Sequence, residues 1–461
     1  MDIQTTTVPK LPQELAGRAI IPGDSRYDDV RALYNGMIDK RPAAIVPCHS
    51  AAEVAAAVTA ARKSGALLAI RGGGHNGPGL GSCDGGMVID LSPLNRVDVD
   101  SERRIVRAGG GCTQGEVDRA ASAHGLAVPA GIVSSTGIGG LTLGGGHGYL
   151  TRKHGLTIDN LIEAEVVLAD GSIVTASEHE HPDLFWALRG GGGNFGVITR
   201  FTYRAHPVTD VFAGPIFYDV GHARDIMRFY REFLLSAPRE LALFLGMKRV
   251  PSADPFPREL WDRPVCALIG CYNGSEQEAR EVLAPVHEAL PTPLMDGMTT
   301  MPFVDWQAAF DPLLPKGLQW YWKGDYVDEL TDAAIEEHVR FGSATPSGLS
   351  LMHLYPIDGA VRDIAPDATA WGARRATWSM VIAAIDPDPA KAGELKRWAS
   401  DYWQAVHTHN PHGGAYVNFM MDDEGDERVR AAYGANYPRL VEVKRRYDPG
   451  NLFRVNQNIK P

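Results

Sequence analysis

The sequence predicts an α+β protein with two domains, because the spacing of its glycine clusters and the lengths of its strand and helix signals change once, near residues 207–212. Before Pro207, short strand signals alternate with helix signals, and glycine clusters separate them. After Pro207 the glycine clusters stop and longer strands alternate with longer helices. This second pattern is typical of an antiparallel sheet with helices on one face. A last segment, from about Tyr416, is rich in Tyr, Asn and Arg.

Local signals place the predicted elements. Ser50 and Glu53 predict a capping box at the start of a helix that Gly65 ends, and Thr113 and Glu116 predict a second one. Further predicted strands cover 43–47, 67–70, 87–91, 105–107, 161–168, 173–176, 195–204, 241–250, 265–272, 349–354 and 378–385. Further predicted helices cover 183–188, 223–235, 275–290, 331–341 and 389–407.

Composition and charge exclude several classes of protein. The 461 residues are 44% hydrophobic and 22% charged, as in an ordinary globular protein. A net charge of −11 argues against a nucleic-acid-binding protein and against a polybasic membrane anchor. The N-terminus lacks the apolar core of a signal peptide and no apolar run reaches the ~20 residues of a membrane span, so we expect a cytoplasmic protein. The five cysteines include no CxxC pair and indicate neither disulfides nor zinc, and the oligomeric state stays open.

The first glycine cluster covers residues 71–77 and directly follows a predicted strand. Its consecutive glycines let backbone N–H groups point into one concavity, an anion nest suited to a pyrophosphate. The spacing also matches GxGxxG. However, the dinucleotide-binding interpretation needs a helix to begin here, and Pro78-Gly79-Leu80-Gly81 cannot begin one.

Two more glycine clusters cover residues 131–148 and 190–196. One interpretation is a tightly packed pair of loops in a glycine-tolerant fold. The other is a wall of bare backbone against which a long, flat ligand lies. The cluster at 190–196 matches GxGxxG as well, but a helix precedes it and a strand follows, which is the reverse of the required order. Three such clusters in the first domain favour one extended ligand.

Four motifs in this order resemble the berberine bridge enzyme-like family of FAD-linked oxidases, within the vanillyl-alcohol oxidase superfamily. They are RGGGHN, GIGGLTLGGGHGYL, DLFWALRGGGGNFGVITRF and YDPGNLFRVNQNIKP. The resemblance covers nearly the whole chain and implies a two-domain PCMH/VAO-type α+β flavoprotein. It implies an FAD-binding domain over residues 1–207 and a substrate-binding domain over 208–414. A C-terminal segment, 415–461, is expected to return to the FAD-binding domain.

The resemblance implies a covalent bond between His75 and the 8α-methyl of the flavin. An imidazole nitrogen is a competent nucleophile for such a bond. The alternative is a histidine that only stabilises its own loop. Many family members have a second link, from a cysteine four residues before the GxGG run, where this chain has Val133. We therefore expect FAD with a single covalent link and no cysteinyl link.

Further contacts to FAD follow from the resemblance. Residues 71–76 are expected at the pyrophosphate, Asp159, Asn160 and residues 193–197 on the adenine-ribose side, and the NQNIKP motif at the isoalloxazine. His147 is expected either to face the flavin or to have a structural role. The full expected set is Arg71, Gly72, Gly73, Gly74, His75, Asn76, Gly137, Gly139, Gly140, Gly144, Gly145, Gly146, His147, Asp159, Asn160, Gly193, Asn194, Gly196, Val197, Asn456 and Gln457.

Substrate oxidation needs hydride transfer to the flavin and a base that takes the accompanying proton. Tyr416 matches the family's active-site tyrosine. A phenol with a pKa of ~10 is a poor base at neutral pH, so it needs a nearby cation; Lys323 is the candidate, with a solvated surface lysine as the alternative. His353 and Tyr355 alternate on a strand and therefore share a face. Further candidates are a carboxylate base, Asp358, and an aromatic wall, Trp320 and Trp322.

The predicted activity is that of an FAD-dependent oxidase acting on a small organic substrate, with O2 as acceptor and H2O2 as product. The alternative is a dehydrogenase of the same fold with another acceptor, because the polar Thr136 stands near the family's oxygen gate. A nucleotide-binding module without a redox role is a third hypothesis. No metal is expected: His407, His409 and His412 straddle a helix end and Pro411, with no nearby carboxylate to complete a shell.

Overall fold

Helices and strands occur along the whole described chain. The computed structural model describes residues 10–410 and 413–461. Residues 1–9, in which we expect no signal peptide, and residues 411–412, which include His412, lie outside the described residues.

The α-helices are α1 (Gln13–Ala16), α2 (Tyr27–Arg31), α3 (Ala51–Ser64), α4 (Gln114–Ser122), α5 (Ile138–Gly144), α6 (Thr151–His154), α7 (Pro182–Leu188), α8 (Ala223–Ser236), α9 (Glu276–Ala289), α10 (Phe303–Ala308), α11 (Asp332–Gly342), α12 (Ala392–His407), α13 (Gly425–Tyr433) and α14 (Tyr437–Tyr447). The strands are β1 (Ala44–Pro47), β2 (Leu68–Arg71), β3 (Met87–Asp90), β4 (Val97–Asp100), β5 (Ile105–Gly109), β6 (Leu126–Ala127), β7 (Leu161–Val167), β8 (Ile173–Ser177), β9 (Val197–Arg204), β10 (His206–Pro207), β11 (Asp210–Asp219), β12 (Leu241–Arg249), β13 (Pro264–Tyr272), β14 (Met295–Asp296), β15 (Thr299–Pro302), β16 (Gln319–Val327), β17 (Leu351–Pro356) and β18 (Trp378–Asp386).

The first half of the chain builds two larger sheets and a two-stranded sheet in which β10 pairs with β6. A parallel sheet has the order β1-β3-β2, and an antiparallel sheet has the order β4-β5-β9-β7-β8. Helix α3 begins where Ser50 Oγ accepts the N–H of Glu53 at 3.2 Å, and it ends at Gly65, whose φ of 67° is left-handed. No helix begins between β2 and β3 in this described stretch, so the first glycine cluster is a loop as predicted.

The second half builds one antiparallel sheet of eight strands. Its order is β14-β11-β13-β12-β17-β18-β16, and β15 also pairs with β11. One face packs against α8, α9, α11 and α12 through side chains such as Leu243 and Met352. The other face, with Phe244 and Tyr355, packs against Tyr149 and Leu150 of the first half. The sheet therefore roofs the glycine-rich half, and the predicted α+β class is confirmed.

Two long strands of this sheet, β11 and β16, and its two short strands, β14 and β15, were not predicted. β11 contains Gly214 and Pro215, which argue against a central strand. They fit because β15 pairs with residues 210–213 and β14 with residues 216–217, so the proline stands between two short partners. β16 is buried on both faces and lacks the alternation of a half-exposed strand.

The second glycine cluster also differs from expectation, because residues 138–144 form helix α5 rather than a bend. The C-terminal segment packs into the core of the first half. Leu440, Val443 and Ile459 join the same apolar cluster as Phe195 and Phe201.

Candidate active site

A cleft of about 390 Å³ lies between the glycine clusters and the eight-stranded sheet. Backbone from all three clusters forms one wall, at Gly72, Gly73, Gly74, Gly137, Gly139, Gly140, Gly192, Gly193 and Gly196. Side chains of β16, β17 and β18 form the opposite wall, at Trp320, Trp322, Leu351, His353, Tyr355, Val381 and Ala383. Residues of the C-terminal segment complete the lining, at Tyr416, Val417, Asn418, Phe419, Asn456 and Gln457.

The glycines have two different roles in this wall. A Cβ built on Gly73 would lie 2.3 Å from the backbone nitrogen of Gly137, and one on Gly137 would lie 2.2 Å from that of Gly73. By contrast, a Cβ on Gly140 or Gly193 would meet no atom of the described chain within 4 Å. The clusters are therefore locked to one another on one side and present bare backbone to the cleft on the other.

His75 lies on the glycine wall. Its imidazole stacks on the ring of Tyr34 with the centroids 3.8 Å apart, and its Nε2 is 2.9 Å from Oγ of Ser135. Burial lowers the pKa of His75 to about 4, so the ring is neutral at neutral pH and one nitrogen keeps its lone pair. In the tautomer whose Nε2–H donates to Ser135, that lone pair is on Nδ1.

Tyr416 is buried, and its hydroxyl oxygen accepts two hydrogen bonds. The donors are the backbone N–H of Gly146 at 3.0 Å and Nδ2 of Asn418 at 2.8 Å. Burial raises the pKa of Tyr416 to about 12, and the two donors act in the opposite direction. N–H donors aimed at a phenolic oxygen stabilise its anion. The two hydrogen bonds therefore offset part of the effect of burial on Tyr416, which lines the cleft.

His147 and His353 are two buried imidazoles beside the tyrosines. The ring of His147 lies 4.5 Å from that of Tyr416, and Nδ1 of His353 lies 3.3 Å from the hydroxyl of Tyr355. Burial lowers the pKa of both histidines to about 3, so both are neutral. Both ring nitrogens of His147 and Nε2 of His353 have no hydrogen-bond partner within the described chain. Buried polar atoms are normally paired, and these unpaired nitrogens belong to residues that also line the cleft.

Other lining residues have the same property. The indole nitrogens of Trp320 and Trp322 and Oδ1 of Asn456 are buried and unpartnered among the described residues. The two indoles meet edge to face with centroids 5.8 Å apart, as the expected aromatic wall. Bare amides, aromatic surface and unpaired polar atoms together fit a flat heteroaromatic ligand that carries phosphates.

Comparison with known proteins identifies the group to which the chain belongs. Residues 42–177 match the family model of the FAD binding domain, and residues 415–460 match the model "Berberine and berberine like". The uncharacterized FAD-linked oxidoreductase YgaK of Bacillus subtilis is 31% identical over 97% of this chain and 98% of its own length. The chain belongs to the berberine bridge enzyme-like family of FAD-linked oxidoreductases.

The enzyme is similar to further relatives over nearly its full length. (R)-6-hydroxynicotine oxidase of Paenarthrobacter nicotinovorans is 28% identical and matches over 98% of each chain. The solved structure of a chitooligosaccharide oxidase is 25% identical, covers 96% of this chain and 97% of its own, and has a TM-score of 0.84. These comparisons confirm the predicted family, the PCMH/VAO-type fold and FAD as the cofactor.

Two charged residues expected at the cofactor lie outside the cleft of the enzyme. Arg71 forms a buried ion pair with Asp90 at 2.9 Å, and Asp159 forms one with Arg374 at 2.8 Å. A buried ion pair that lost one member would leave an uncompensated charge. These side chains therefore hold the fold together and are corrected to structural residues.

Two amides expected at the cofactor are corrected in the same way. Asn160 donates its Nδ2 hydrogens to backbone carbonyls of the preceding turn. Asn194 is completely buried, donates to the carbonyl of Gln457 and accepts the N–H of Ile459. Asn194 therefore positions the C-terminal segment, and through it the cleft-lining Gln457.

The last glycines of the second cluster do not line the cleft either. A Cβ on Gly144 would lie 2.4 Å from the amide nitrogen of Asn418, and one on Gly146 would lie 2.1 Å from Oγ1 of Thr157. Gly145 has a φ of 130°. These glycines make room for the side chains around Tyr416, which explains their presence without a cofactor contact.

Lys323 and Asp358 also lie away from the cleft. Lys323 forms ion pairs with Asp423 at 2.7 Å and with Glu424 at 2.9 Å. Asp358 forms a buried ion pair with Arg152 at 2.7 Å. Lys323 is therefore not the cation beside the tyrosine, and Asp358 is not a base in the cleft. The groups that contact the Tyr416 oxygen are two N–H donors, where a cation was expected.

The other expected residues do meet at the cleft, and several lining or supporting residues were missed. The expected residues in place are Gly72, Gly73, Gly74, His75, Asn76, Gly137, Gly139, Gly140, His147, Gly193, Gly196, Val197, Asn456, Gln457, His353, Tyr355 and Tyr416. The missed residues include Tyr34, Ser135, Asn418 and Phe419. Tyr34 lies in an irregular segment that carries no sequence signal.

No cysteine is among the residues that line the cleft, whereas Val133 is. Within residues 10–410 and 413–461, no group of His, Cys, Asp and Glu could hold a metal, and His407 instead pairs with Asp325 at 2.7 Å. In the same ranges, no helix is both long and apolar enough to cross a membrane.

Proposed function

We propose that the enzyme oxidises a small organic substrate (an alcohol, sugar, amine or phenolic compound) with FAD and passes the electrons to O2. Bound FAD supplies the acceptor for a hydride from the substrate carbon. The substrate also gives up one proton, and O2 takes both hydrogens to become H2O2. Two similar proteins, (R)-6-hydroxynicotine oxidase and a chitooligosaccharide oxidase, support amines and sugars as substrate classes.

One observation carries the proposal: the two walls of the cleft complement each other. Glycines such as Gly140 and Gly193 offer backbone and free space, while the facing wall offers buried polar rings without partners. Residues 1–207 with 415–461 would then hold FAD, and residues 208–414 would hold the substrate. Gly72, Gly73, Gly74 and Asn76 would hold the phosphates, and Asn456 and Gln457 the isoalloxazine.

The cofactor is held by one covalent bond, from His75. A neutral imidazole with a free lone pair is a competent nucleophile, and the stack on Tyr34 and the contact to Ser135 fix its plane. A second, cysteinyl bond has no candidate in the described cleft, because Val133 lines it and the five cysteines do not.

Tyr416 takes the substrate proton in its ionised form, the phenolate. Because burial raises the pKa of Tyr416 to about 12, this form depends on hydrogen bonds to its oxygen, which the N–H of Gly146 and Nδ2 of Asn418 donate. His147 lies against the same ring and, because it is neutral and unpartnered, can hydrogen-bond the substrate or the cofactor.

The test is a substrate screen on the purified holoenzyme. Sugars, amines, phenols and alcohols are added without oxygen, and the flavin absorbance is followed; a true substrate bleaches it. Air is then admitted and H2O2 is measured. We expect rapid return of the colour with one H2O2 per flavin. Bleaching by no member of any class would contradict the proposal.

The second candidate, a dehydrogenase, is favoured by the polar Thr136 in the cleft lining. It predicts bleached enzyme that stays reduced for minutes in air and regains colour only with an artificial electron acceptor. The reoxidation step of the same experiment therefore separates the two candidates.

A further inference from the structure

Among residues 10–410 and 413–461, the buried charged side chains are paired, with one exception. Charged residues that are less than a tenth exposed form ion pairs or hydrogen bonds, as Arg374 with Asp159 or Lys444 with Asp448. Lys248 is 9% exposed and has neither an ion pair nor a hydrogen bond to any described residue. A buried ammonium without an acceptor is costly to the folded protein. Such a group calls for a ligand that supplies the acceptor.

Lys248 lies on the cleft face of the sheet. It stands on β12 directly opposite Leu351 of β17, and Leu351 lines the cleft. Paired residues of antiparallel strands project their side chains to the same face. On its other side Lys248 pairs with Val265, which belongs to the same apolar cluster as Tyr355. Lys248 is not itself a lining residue, but its side chain projects from the sheet on the same face as Leu351, next to the cleft.

His353 is the neighbouring polar group. Gly246, two residues before Lys248 and on the same face, pairs with His353, and a Cβ on it would lie 2.8 Å from the imidazole. The glycine thus lets the ring lie over β12, toward Lys248, whose positive charge helps burial to lower the pKa of His353. When the Tyr355 hydroxyl donates to Nδ1, the unpartnered Nε2 of His353 carries a proton and is a donor.

We propose that Lys248 and His353 form an anion subsite of the substrate cleft, so that the preferred substrates carry a carboxylate. The ammonium and the Nε2–H would each donate to one carboxylate oxygen, and hydrogen bonds to an ionised acceptor are about twice as strong as neutral ones. The inference rests on the proposed function, since it narrows the substrate class of the same cleft. It makes Lys248 a specificity-determining residue, not a catalytic one.

The test compares benzoate with benzamide, which has the same shape and no charge. Binding to the purified holoenzyme is measured by calorimetry, and the flavin difference spectrum is recorded in parallel. We expect wild-type enzyme to bind benzoate at least about tenfold more tightly than benzamide, the range of a hydrogen bond to a charged group. Lys248→Met is expected to lower the affinity for benzoate by a similar factor and to leave the affinity for benzamide unchanged. Lys248→Arg is expected to keep the preference for benzoate.

The inference is overturned if the wild type binds both probes with equal affinity, or if Lys248→Met binds benzoate as tightly as the wild type does. It is also overturned if benzoate produces no measurable heat of binding with the wild type. Thermal unfolding and flavin content show whether Lys248→Met is folded, and Lys248→Gln serves if it is not. Calorimetry reads the subsite even if no substrate reduces the flavin. Failure of the subsite and failure of the proposed oxidase activity are therefore separate results.

Discussion

The hydroxyl oxygen of Tyr416 accepts the backbone N–H of Gly146 at 3.0 Å, across a separation of 270 residues. This bond joins the C-terminal segment to the second glycine cluster, beside the cleft. It places a phenol with two N–H donors, the second from Asn418, at the junction. In the proposed reaction, this phenol, in its ionised form, accepts the substrate proton.

Tyr416→Phe should slow flavin reduction by about 10²–10⁴-fold, the range for loss of a general base. The ring and its packing remain, so flavin content should not change. Stopped-flow absorbance without oxygen, using a substrate from the screen, measures the rate. Tyr218→Phe is the matched control, because the buried Tyr218 hydroxyl has no partner in the described chain and lies outside the cleft. A wild-type rate in Tyr416→Phe would assign the proton to another group, such as His147.

Gly137→Ala should destabilise the enzyme, whereas Gly140→Ala should not. The new methyl at 137 would lie 2.2 Å from a backbone nitrogen of Gly73, which cannot move alone, and overpacking of this kind costs about 1–3 kcal/mol. The methyl at 140 would point into the cleft with no described atom within 4 Å. Thermal unfolding measures the difference. Gly140→Leu should unfold near the wild-type temperature but hold less flavin; full flavin content in Gly140→Leu would place the cofactor elsewhere.

Asp118→Asn should flatten the dependence of stability on pH. Burial raises the pKa of Asp118 from 3.8 to about 7, and Gln307 donates to it at 3.3 Å. The folded enzyme then keeps a proton that the unfolded chain releases, so the free energy of unfolding falls as pH rises from about 4 to about 7 and is level above that. The free energy of unfolding falls by a few kcal/mol in all, at about 1.4 kcal/mol for each unit by which the pKa is raised.

The measurement is the unfolding temperature at pH 5 and at pH 8. Wild-type enzyme and the exposed control Glu102→Gln should lose several degrees more than Asp118→Asn over this interval. An equal loss in all three proteins would mean that Asp118 is ionised in the folded state at pH 5.

Features set by local chemistry could be predicted from the sequence. The helix between Ser50 and Gly65 follows from its cap and its glycine, and His353 and Tyr355 share a face because strands alternate. The glycine clusters predicted an extended ligand for the same local reason: bare backbone serves close approach. The resemblance then located His75 and Tyr416 on the cleft.

Features set by distant partners could not be predicted in this way. Asp159 looks available until Arg374, 215 residues away, is brought to it. Asn194 is taken up by a segment 265 residues further along the chain. Lys323 is a different case. The alternation of side chains along β16 puts Lys323 and Trp322 on opposite faces of the sheet, but this could not be used because β16 was not predicted as a strand. Lys248 lies in the apolar strand β12, and its sequence context does not distinguish it from a paired lysine. Only the structure shows that it has no ion pair or hydrogen bond to a described residue.

The central claim is that the cleft holds FAD through one covalent bond from His75. Purified enzyme is precipitated with acid, and the absorbance of pellet and supernatant is measured. For the wild type we expect a yellow pellet and a colourless supernatant, with a flavin-to-protein ratio near one. For His75→Ala we expect the yellow colour in the supernatant, while the exposed control His287→Ala should behave as wild type. A colourless wild-type pellet, or a yellow pellet from His75→Ala, would contradict the account.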